Sequence, residues 1–290
     1  MNRPLLLLLG TGTMLGLNFP IGKLALAHGV NPALWAAIIS LGAGISMFLI
    51  SRLRKTIKSN SYGMVNFAIV SGCLSYVMPN LLTFMVIPKI GSGLAAVMFA
   101  LSPVATAMIS IVLRVRPPNL GGLAGIILGL VGALIITFGR NSSLEANGIG
   151  WIIVALLIPV FLGFGNVYRS LAWPEGASPH TLAAYTNLAA VPFLVAIFIF
   201  TGFDLTPLPS LGGLIVLQIA VSTIMFLMLF QLQHIGGPTY LSQIGYVAAA
   251  VGLFIGATYF GEIYPLSVWI GAGVVALGIT VSTWSGLRKT

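Results

Sequence analysis

The chain has 290 residues, of which 58% are hydrophobic and 6% charged, with a formal net charge of +9. Soluble domains carry about 25% charged residues, so a water-facing surface cannot be assembled from this composition and the surrounding medium is lipid. The basic balance reads as loop cations that orient a membrane protein, not as a nucleic-acid surface, because no aromatic-basic motif or zinc-ligand spacing accompanies it. The single cysteine, Cys73, excludes an intramolecular disulfide and reads as packing.

The first apolar segment, 4–27, opens with Leu5 to Leu9. No small-residue cleavage segment follows, so it reads as a retained membrane helix rather than a removable signal peptide. It is interrupted by Gly16-Leu-Asn-Phe-Pro-Ile-Gly-Lys23. At a rise of about 1.5 Å per residue, Asn18 lies about 21 Å from the helix start and Lys23 about 28 Å, against a hydrocarbon core of about 30 Å. Lys23 therefore reaches the outer boundary, where its amine either snorkels or points into a cavity mouth and attracts a carboxylate. Pro20 frees the carbonyl of Gly16 beside Asn18, which makes the Asn-Pro pair a candidate substrate contact or hinge.

Nine further segments are long and apolar enough for helices: 32–51, 64–87, 93–113, 119–138, 149–170, 179–201, 210–233, 238–260 and 264–285. The polar-apolar alternation of a membrane barrel is absent. Lipid requires every backbone group to be satisfied internally, so helices remain. Ten spans put both termini on one side. With that side cytoplasmic it holds Arg3, Arg52, Arg54, Lys55, Lys58, Arg114, Arg116, Arg169, Arg288 and Lys289, which is 10 of 13 cations. The outer side receives Lys89 and Arg140. Trp35, Trp151, Trp173 and Trp284 fall near expected interfaces, and Trp269 somewhat deeper.

The chain repeats itself. Gly29 to Ala37 (GVNPALWAA) matches Gly176 to Ala184 (GASPHTLAA) at an offset of 176 − 29 = 147. The stretches starting at Lys89 (KIGSGLAAV) and His234 (HIGGPTYLS), and those starting at Gly129 and Gly273, follow in the same order. A unit of five helices is odd, so its second copy inserts with opposite orientation. The expected architecture is an all-α membrane protein of ten transmembrane helices in two inverted-topology repeats, 1–140 and 141–290, that together form one membrane domain. Such folds place a substrate site near the midplane, between the repeats.

Polar side chains at membrane depth are costly and face a cavity or another helix. In helix 3, Tyr76, Asn80 and Thr83 share one face, and Pro79 predicts a kink. Thr239, Gln243 and Tyr246 form a similar face in helix 9. Asn166 in helix 6 follows Gly163 and Gly165, where the backbone can open, and Arg169 is expected to snorkel at the cytoplasmic end. Gln218 and Ser222 pair on helix 8. Ser102-Pro103 lies mid-helix 4, where Pro103 frees the Phe99 carbonyl for substrate or water, or serves as a kink alone. Gly91, Gly93, Gly121, Gly125 and Gly129 read as packing surfaces. The alternative for the polar groups is interhelical hydrogen bonding. The candidate cavity residues are thus Asn18, Lys23, Tyr76, Asn80, Ser102, Asn166, Gln218, Gln243 and Tyr246, with Pro20, Pro79 and Pro103 as hinges.

The four carboxylates, Glu145, Glu175, Asp204 and Glu262, fall in loops or at helix ends, which leaves a buried proton relay without support. Glu262 can still titrate near the outer mouth. His28, His180 and His234 also sit at helix ends. No metal-ligand spacing and no cofactor motif occurs.

Asn18-Phe19-Pro20 with Lys23, the stretch Ser92 to Ser110, the glycine-rich run of helix 5 and Gly261-Glu262 together resemble the drug/metabolite transporter superfamily, specifically its ten-helix EamA-type exporters. The bacterial aromatic amino-acid exporters are the nearest likeness within it. The resemblance implies a basket of helices whose central cavity is lined mainly by helices 1, 3, 4, 6, 8 and 9. It departs from the family pattern at Ala37 to Ser40, where many members carry arginine, and at Arg114-Val-Arg116, where many carry Gly-Glu. Small multidrug exporters of the superfamily depend on a glutamate in helix 1, which this chain lacks.

The expected function is therefore a secondary transporter that exports small metabolites, amino acids first, by alternating access from an inner membrane with both termini cytoplasmic. Export direction follows from the resemblance alone. The expected partners are a small-molecule solute and membrane lipids, without nucleic acid, and oligomeric state has no signal. The alternatives are a proton-coupled multidrug exporter or an importer, and then a channel. An intramembrane enzyme is disfavoured, since there is no His-Glu-x-x-His and no pair of membrane aspartates.

Overall fold

The computed structural model describes residues 3–54, 62–115, 120–139 and 146–287. Lys55, Lys58, Arg116, Arg140, Glu145, Arg288 and Lys289 lie outside the described residues, as do the side chains of Thr239 and Trp284.

Among the described residues ten long helical segments follow one another, besides a short 3-10 turn at Leu208–Leu211. They are α1 (Arg3–Ala27), α2 (Pro32–Leu53), α3 (Tyr62–Gly72, a π turn at Cys73–Val77, then Met78–Ile90) and α4 (Ser92–Phe99, then Ser102–Val112). α5 (Leu120–Gly139), α6 (Ala146–Leu171) and α7 (Pro179–Thr201) come next. The helix Gly212–Ser242 is broken at Gly237 (φ 70°, ψ −176°). We call residues 212–236 α8, and its continuation, which resumes as Ile244–Tyr259, α9; α10 is Leu266–Leu287. Seven helices are long and apolar enough to cross a membrane, and among the described residues Leu120–Gly132, Ile244–Tyr259 and Leu266–Gly278 are shorter apolar helices.

Local chemistry starts α2 and α7 alike. Each follows a glycine of positive φ, Gly29 (83°) and Gly176 (67°). Each then has a side-chain cap. Asn31 Oδ1 accepts from Ala33 N at 2.8 Å, and Ser178 Oγ accepts from Thr181 N at 3.3 Å. Pro32 and Pro179 occupy the first helical position, where the missing N–H costs nothing.

The packing obeys the repeat. α2 lies on α7, α4 on α9, and α5 on α10, so each helix meets its own counterpart. α1 packs on α8 and α9, while α6 packs on α3 and α4; α3 against α7 mirrors α8 against α2. Exchange of the two five-helix sets maps these contacts onto themselves, which is the pseudo-twofold of an inverted repeat.

Close backbone approach fixes the self-paired crossings. A methyl at Gly132 would stand 2.6 Å from the Gly271 carbonyl oxygen, and one at Gly278 2.6 Å from that of Gly125. At the α4–α9 crossing a methyl at Gly245 would stand 2.1 Å from the Phe99 carbonyl oxygen. This is the carbonyl that Pro103 frees, and it is pressed against the Gly245 backbone.

Several expectations change. α6 runs unbroken through Gly163 and Gly165. These glycines accept the Ala105–Thr106 backbone and Ser75 respectively, so they are contact points and not an opening. α1 likewise continues through Pro20. The α3 irregularity lies one turn before Pro79, where the Met78 N–H bonds the Cys73 carbonyl. Gly91 (φ 83°, ψ 160°) is the break between α3 and α4 and not a packing surface. Trp35 is 0% exposed, a core residue instead of an interfacial anchor.

Candidate functional site: a cavity between the repeats

Between the repeats lies a cavity of about 50 Å³. Ser75, Tyr76 and Asn80 of α3, Ser102 of α4, and Asn166 and Arg169 of α6 give its polar lining, and Met225, Phe226 and Leu229 of α8 give an apolar wall. A small adjoining pocket of about 20 Å³ shares Asn80, Phe99 and Met225 with it and reaches Asn18 and Thr83. The Tyr76 ring meets that of Phe226 edge-on, with centroids 4.6 Å apart.

Arg169 is the charged member. Its side chain is 2% exposed. The guanidinium donates to Ser75 Oγ, and to Asn166 Oδ1 at 2.6 Å. Asn166 in turn donates to Thr106 Oγ1 at 3.1 Å and to Ser102 Oγ at 3.4 Å. The Phe230 ring lies 5.9 Å from the guanidinium carbon. Among the described residues the Nε–H has no partner, and neither does the Tyr76 hydroxyl or the Asn80 amide nitrogen. Among the described residues Arg169 forms no ion pair.

The expected snorkelling of Arg169 is thus overturned. The reason is geometric. Every Cα–Cβ bond in a helix tilts toward the N-terminus. Near the C-terminal end of α6 that direction leads back into the bundle, so an outward reach would oppose the backbone. The signal was in the sequence, because it needs only the position of Arg169 in its helix.

A second polar node sits between α1 and α8. Asn18 Oδ1 accepts from Ser222 Oγ at 2.8 Å and from Gln218 Nε2. Gln218 Nε2 also donates to Ser222 Oγ at 2.8 Å, and Asn18 Nδ2 donates to the Met14 carbonyl at 2.7 Å. Asn18 and Gln218 therefore bond to each other, and Gln218 is absent from the cavity lining.

The remaining candidates lie apart. Gln243 is buried at the interruption of α9, where its carbonyl accepts from Tyr246 N at 3.1 Å. Tyr246 is buried and turns its hydroxyl to Gly129 of α5, where a methyl would stand 2.7 Å from it. Pro79 lines the cavity beside Asn80, and Pro103 opens the second half of α4.

Lys23 is held at one rim of the bundle. It bonds Glu262 Oε1, and lies 4.3 Å from the centre of the Phe260 ring. Glu262 Oε1 also accepts from Ser92 Oγ at 3.1 Å and Ser92 N at 3.3 Å, Oε2 accepts from Gly93 N at 3.4 Å, and Tyr264 OH donates to it. Burial alone pushes the Glu262 carboxyl up. Hydrogen bonds from Lys23, Tyr264 and Ser92, with the Lys23 charge, outweigh it and hold the group below its usual range. At the opposite rim Trp173 packs on Phe67, Phe230 and His234.

Two inverted five-helix repeats around a cavity at their interface are an architecture of membrane transporters. The EamA-like transporter family model matches residues 2–138 and again 149–284, and the chain belongs to that family, within the drug/metabolite transporter superfamily. Relatives described as "Uncharacterized inner membrane transporter YedA" from Escherichia coli K12, O6:H1 and O157:H7 are each 27% identical over 261 residues, 87% of this chain and 81% of theirs. A solved structure described as "Crystal structure of protein" superposes with a TM-score of 0.69 at 16% identity, covering 94% of this chain and 97% of its own, and shares the fold.

Proposed function

We propose that the chain is an inner-membrane secondary transporter that exports small metabolites, amino acids with neutral or aromatic side chains first, by alternating access. In this reading units 1–140 and 141–290 rock against each other around the cavity. The observation that carries it is the cavity itself. It lies at the repeat interface, with amide and hydroxyl groups on one side and Phe226 and Met225 on the other, as a polar-headed solute with an apolar side chain requires. The name of the YedA relatives supports the inner membrane. With the buried Arg169 set aside, 10 − 1 = 9 of the 13 cations fall on the side of the termini, which supports a cytoplasmic placement of both. No carboxylate lines the cavity among the described residues, so proton coupling through it has no group to act.

The test is counterflow in proteoliposomes over a panel of aromatic and aliphatic amino acids, purines and cationic dyes, with and without a pH gradient. Saturable exchange stimulated by solute on the far side, without an imposed gradient, is expected. Unsaturable flux without that stimulation would make the protein a channel. Strict dependence on the gradient would overturn the uncoupled mechanism.

A further inference from the structure

We propose that Arg169, with the Tyr76 hydroxyl and the Asn80 amide, forms the subsite for a carboxylate group of the transported solute. The proposal rests on the transporter reading and adds the chemistry that the cavity selects. A buried guanidinium without a counter-ion is costly, because hydrogen bonds to neutral groups do not replace the solvation of its charge. Arg169 has that status: it is 2% exposed, bonded to Ser75 and Asn166, and free of any ion pair among the described residues. Bound water can satisfy an N–H but does not neutralise the cation.

Three donors at this site lack partners among the described residues: Arg169 Nε–H, the Tyr76 hydroxyl and the Asn80 amide nitrogen. All three residues line the one cavity. A carboxylate accepts up to about four hydrogen bonds through its two oxygens and favours the planar guanidinium fork. The charge count restricts the ligand further. Arg169 is the one cation in the described lining, so it balances a single negative charge. A phosphate dianion would keep an uncompensated charge in the same low-dielectric space, and a cationic amine would meet repulsion. The related node between α1 and α8, Asn18 with Gln218 and Ser222, carries no charge, so the anion-binding character belongs to one half of the cavity.

The test uses the full chain in proteoliposomes, with counterflow of labelled solute and thermal shift of the purified protein as readouts. The probes are L-phenylalanine against phenethylamine and L-phenylalaninamide, L-leucine against isoamylamine, and inorganic phosphate. The acids are expected to bind and exchange at least about tenfold better than their decarboxylated or amidated forms. R169Q should lose about tenfold or more of that preference, and R169K should retain part of it. Because a buried arginine can also be needed for folding, Y76F is the second variant. It removes a hydroxyl with no partner in the free protein, so melting should hold or rise while affinity for the acids falls. Equal responses of acid and amine, or of Y76F and the parent protein, overturn the proposal. Saturable exchange of purines or dyes with none of the acids overturns it and leaves the transporter reading standing. Unsaturable leak of every probe removes both.

Discussion

Ser75 and Ser222 occupy the same place in the two inverted repeats, 222 − 75 = 147 residues apart, and each accepts the side chain that bridges its polar node. At Ser75 the bridge is the Arg169 guanidinium, which joins it to Asn166; at Ser222 it is the Gln218 amide, which joins it to Asn18. The offset is the one that relates Gly29 to Gly176, so the nodes descend from the same part of the repeat. They differ by one charge.

The neutral node is expected to act as interhelical glue. Asn18→Ala removes two bonds to Oδ1. Interhelical hydrogen bonds in membranes average about 0.6 kcal/mol, so the loss should be about 1 kcal/mol and not several. A cycle of Asn18→Ala and Ser222→Ala, followed by unfolding in mixed micelles, should return a coupling of about 0.6 kcal/mol. A coupling near zero would mean that the α1–α8 contact is held by apolar packing alone.

The fold was legible because lipid reduces it to length and hydropathy. The stretches 32–51 and 179–201 foreshadow Pro32–Leu53 and Pro179–Thr201, and the match of Gly29 and Gly176 locates the repeat. Tyr76, Asn80, Ser102 and Asn166 were singled out as polar groups at depth, and they line one cavity. The destination of Tyr246 was not legible, and for Lys23 a carboxylate at the outer mouth was one of two readings, without its partner being fixed. Each depends on which helix lies opposite, and faces that are uniformly apolar do not encode partners. Lys23 meets Glu262 only because α1 packs beside α9 and the turn after it.

Gly245→Ala should be among the most damaging single changes in the chain. The added methyl would stand 2.1 Å from the Phe99 carbonyl oxygen and 2.6 Å from its carbon, both backbone atoms that cannot rotate away. Overpacking of this kind costs about 3 kcal/mol or more, and the α4–α9 crossing would have to separate. Gly273→Ala is the matched control, since among the described residues nothing lies within 4 Å of its methyl. In a helix that change should be neutral or gain about 0.5–1 kcal/mol. Melting temperatures of the two purified variants compare them directly; equal melts would show that the crossing yields.

Gly237→Ala isolates a backbone effect. Among the described residues nothing lies within 4 Å of the added methyl, yet φ 70° and ψ −176° belong to a region almost confined to glycine. A cost of about 1–3 kcal/mol is expected from conformation alone. Gly91 has nearly the same geometry at the matching break, but its methyl would stand 3.2 Å from a Glu262 carboxylate oxygen. Gly91→Ala should therefore cost more than Gly237→Ala, and Glu262→Gln should shrink the gap because a neutral amide has weaker ties to Lys23 and Ser92. Chemical melts of the two variants, alone and with Glu262→Gln, give the comparison.

The Lys23–Glu262 rim should set an acid limit on stability. Both residues are partly exposed, at 29% and 15%, so the contribution of the pair and its neighbours is about 1–2 kcal/mol and not a buried-pair value. The Glu262 carboxyl is held below its ordinary 4.5 in the folded protein. At pH above that value it is ionised in both states, and the stabilisation is fully present. As pH falls below 4.5 the unfolded chain takes up the proton first, and the advantage fades until the folded carboxyl protonates as well. The difference in melting temperature between the parent protein and Glu262→Gln should therefore be constant from about pH 8 to about pH 5.5 and shrink only in more acidic buffer. Lys23→Met should reproduce most of the loss at neutral pH, since it removes the strongest hydrogen bond to the carboxylate and the neighbouring charge together. A difference that grows on acidification would mean that the rim carboxyl is held above its ordinary value, and that the hydrogen bonds from Lys23, Ser92 and Tyr264 do not act on its charged form.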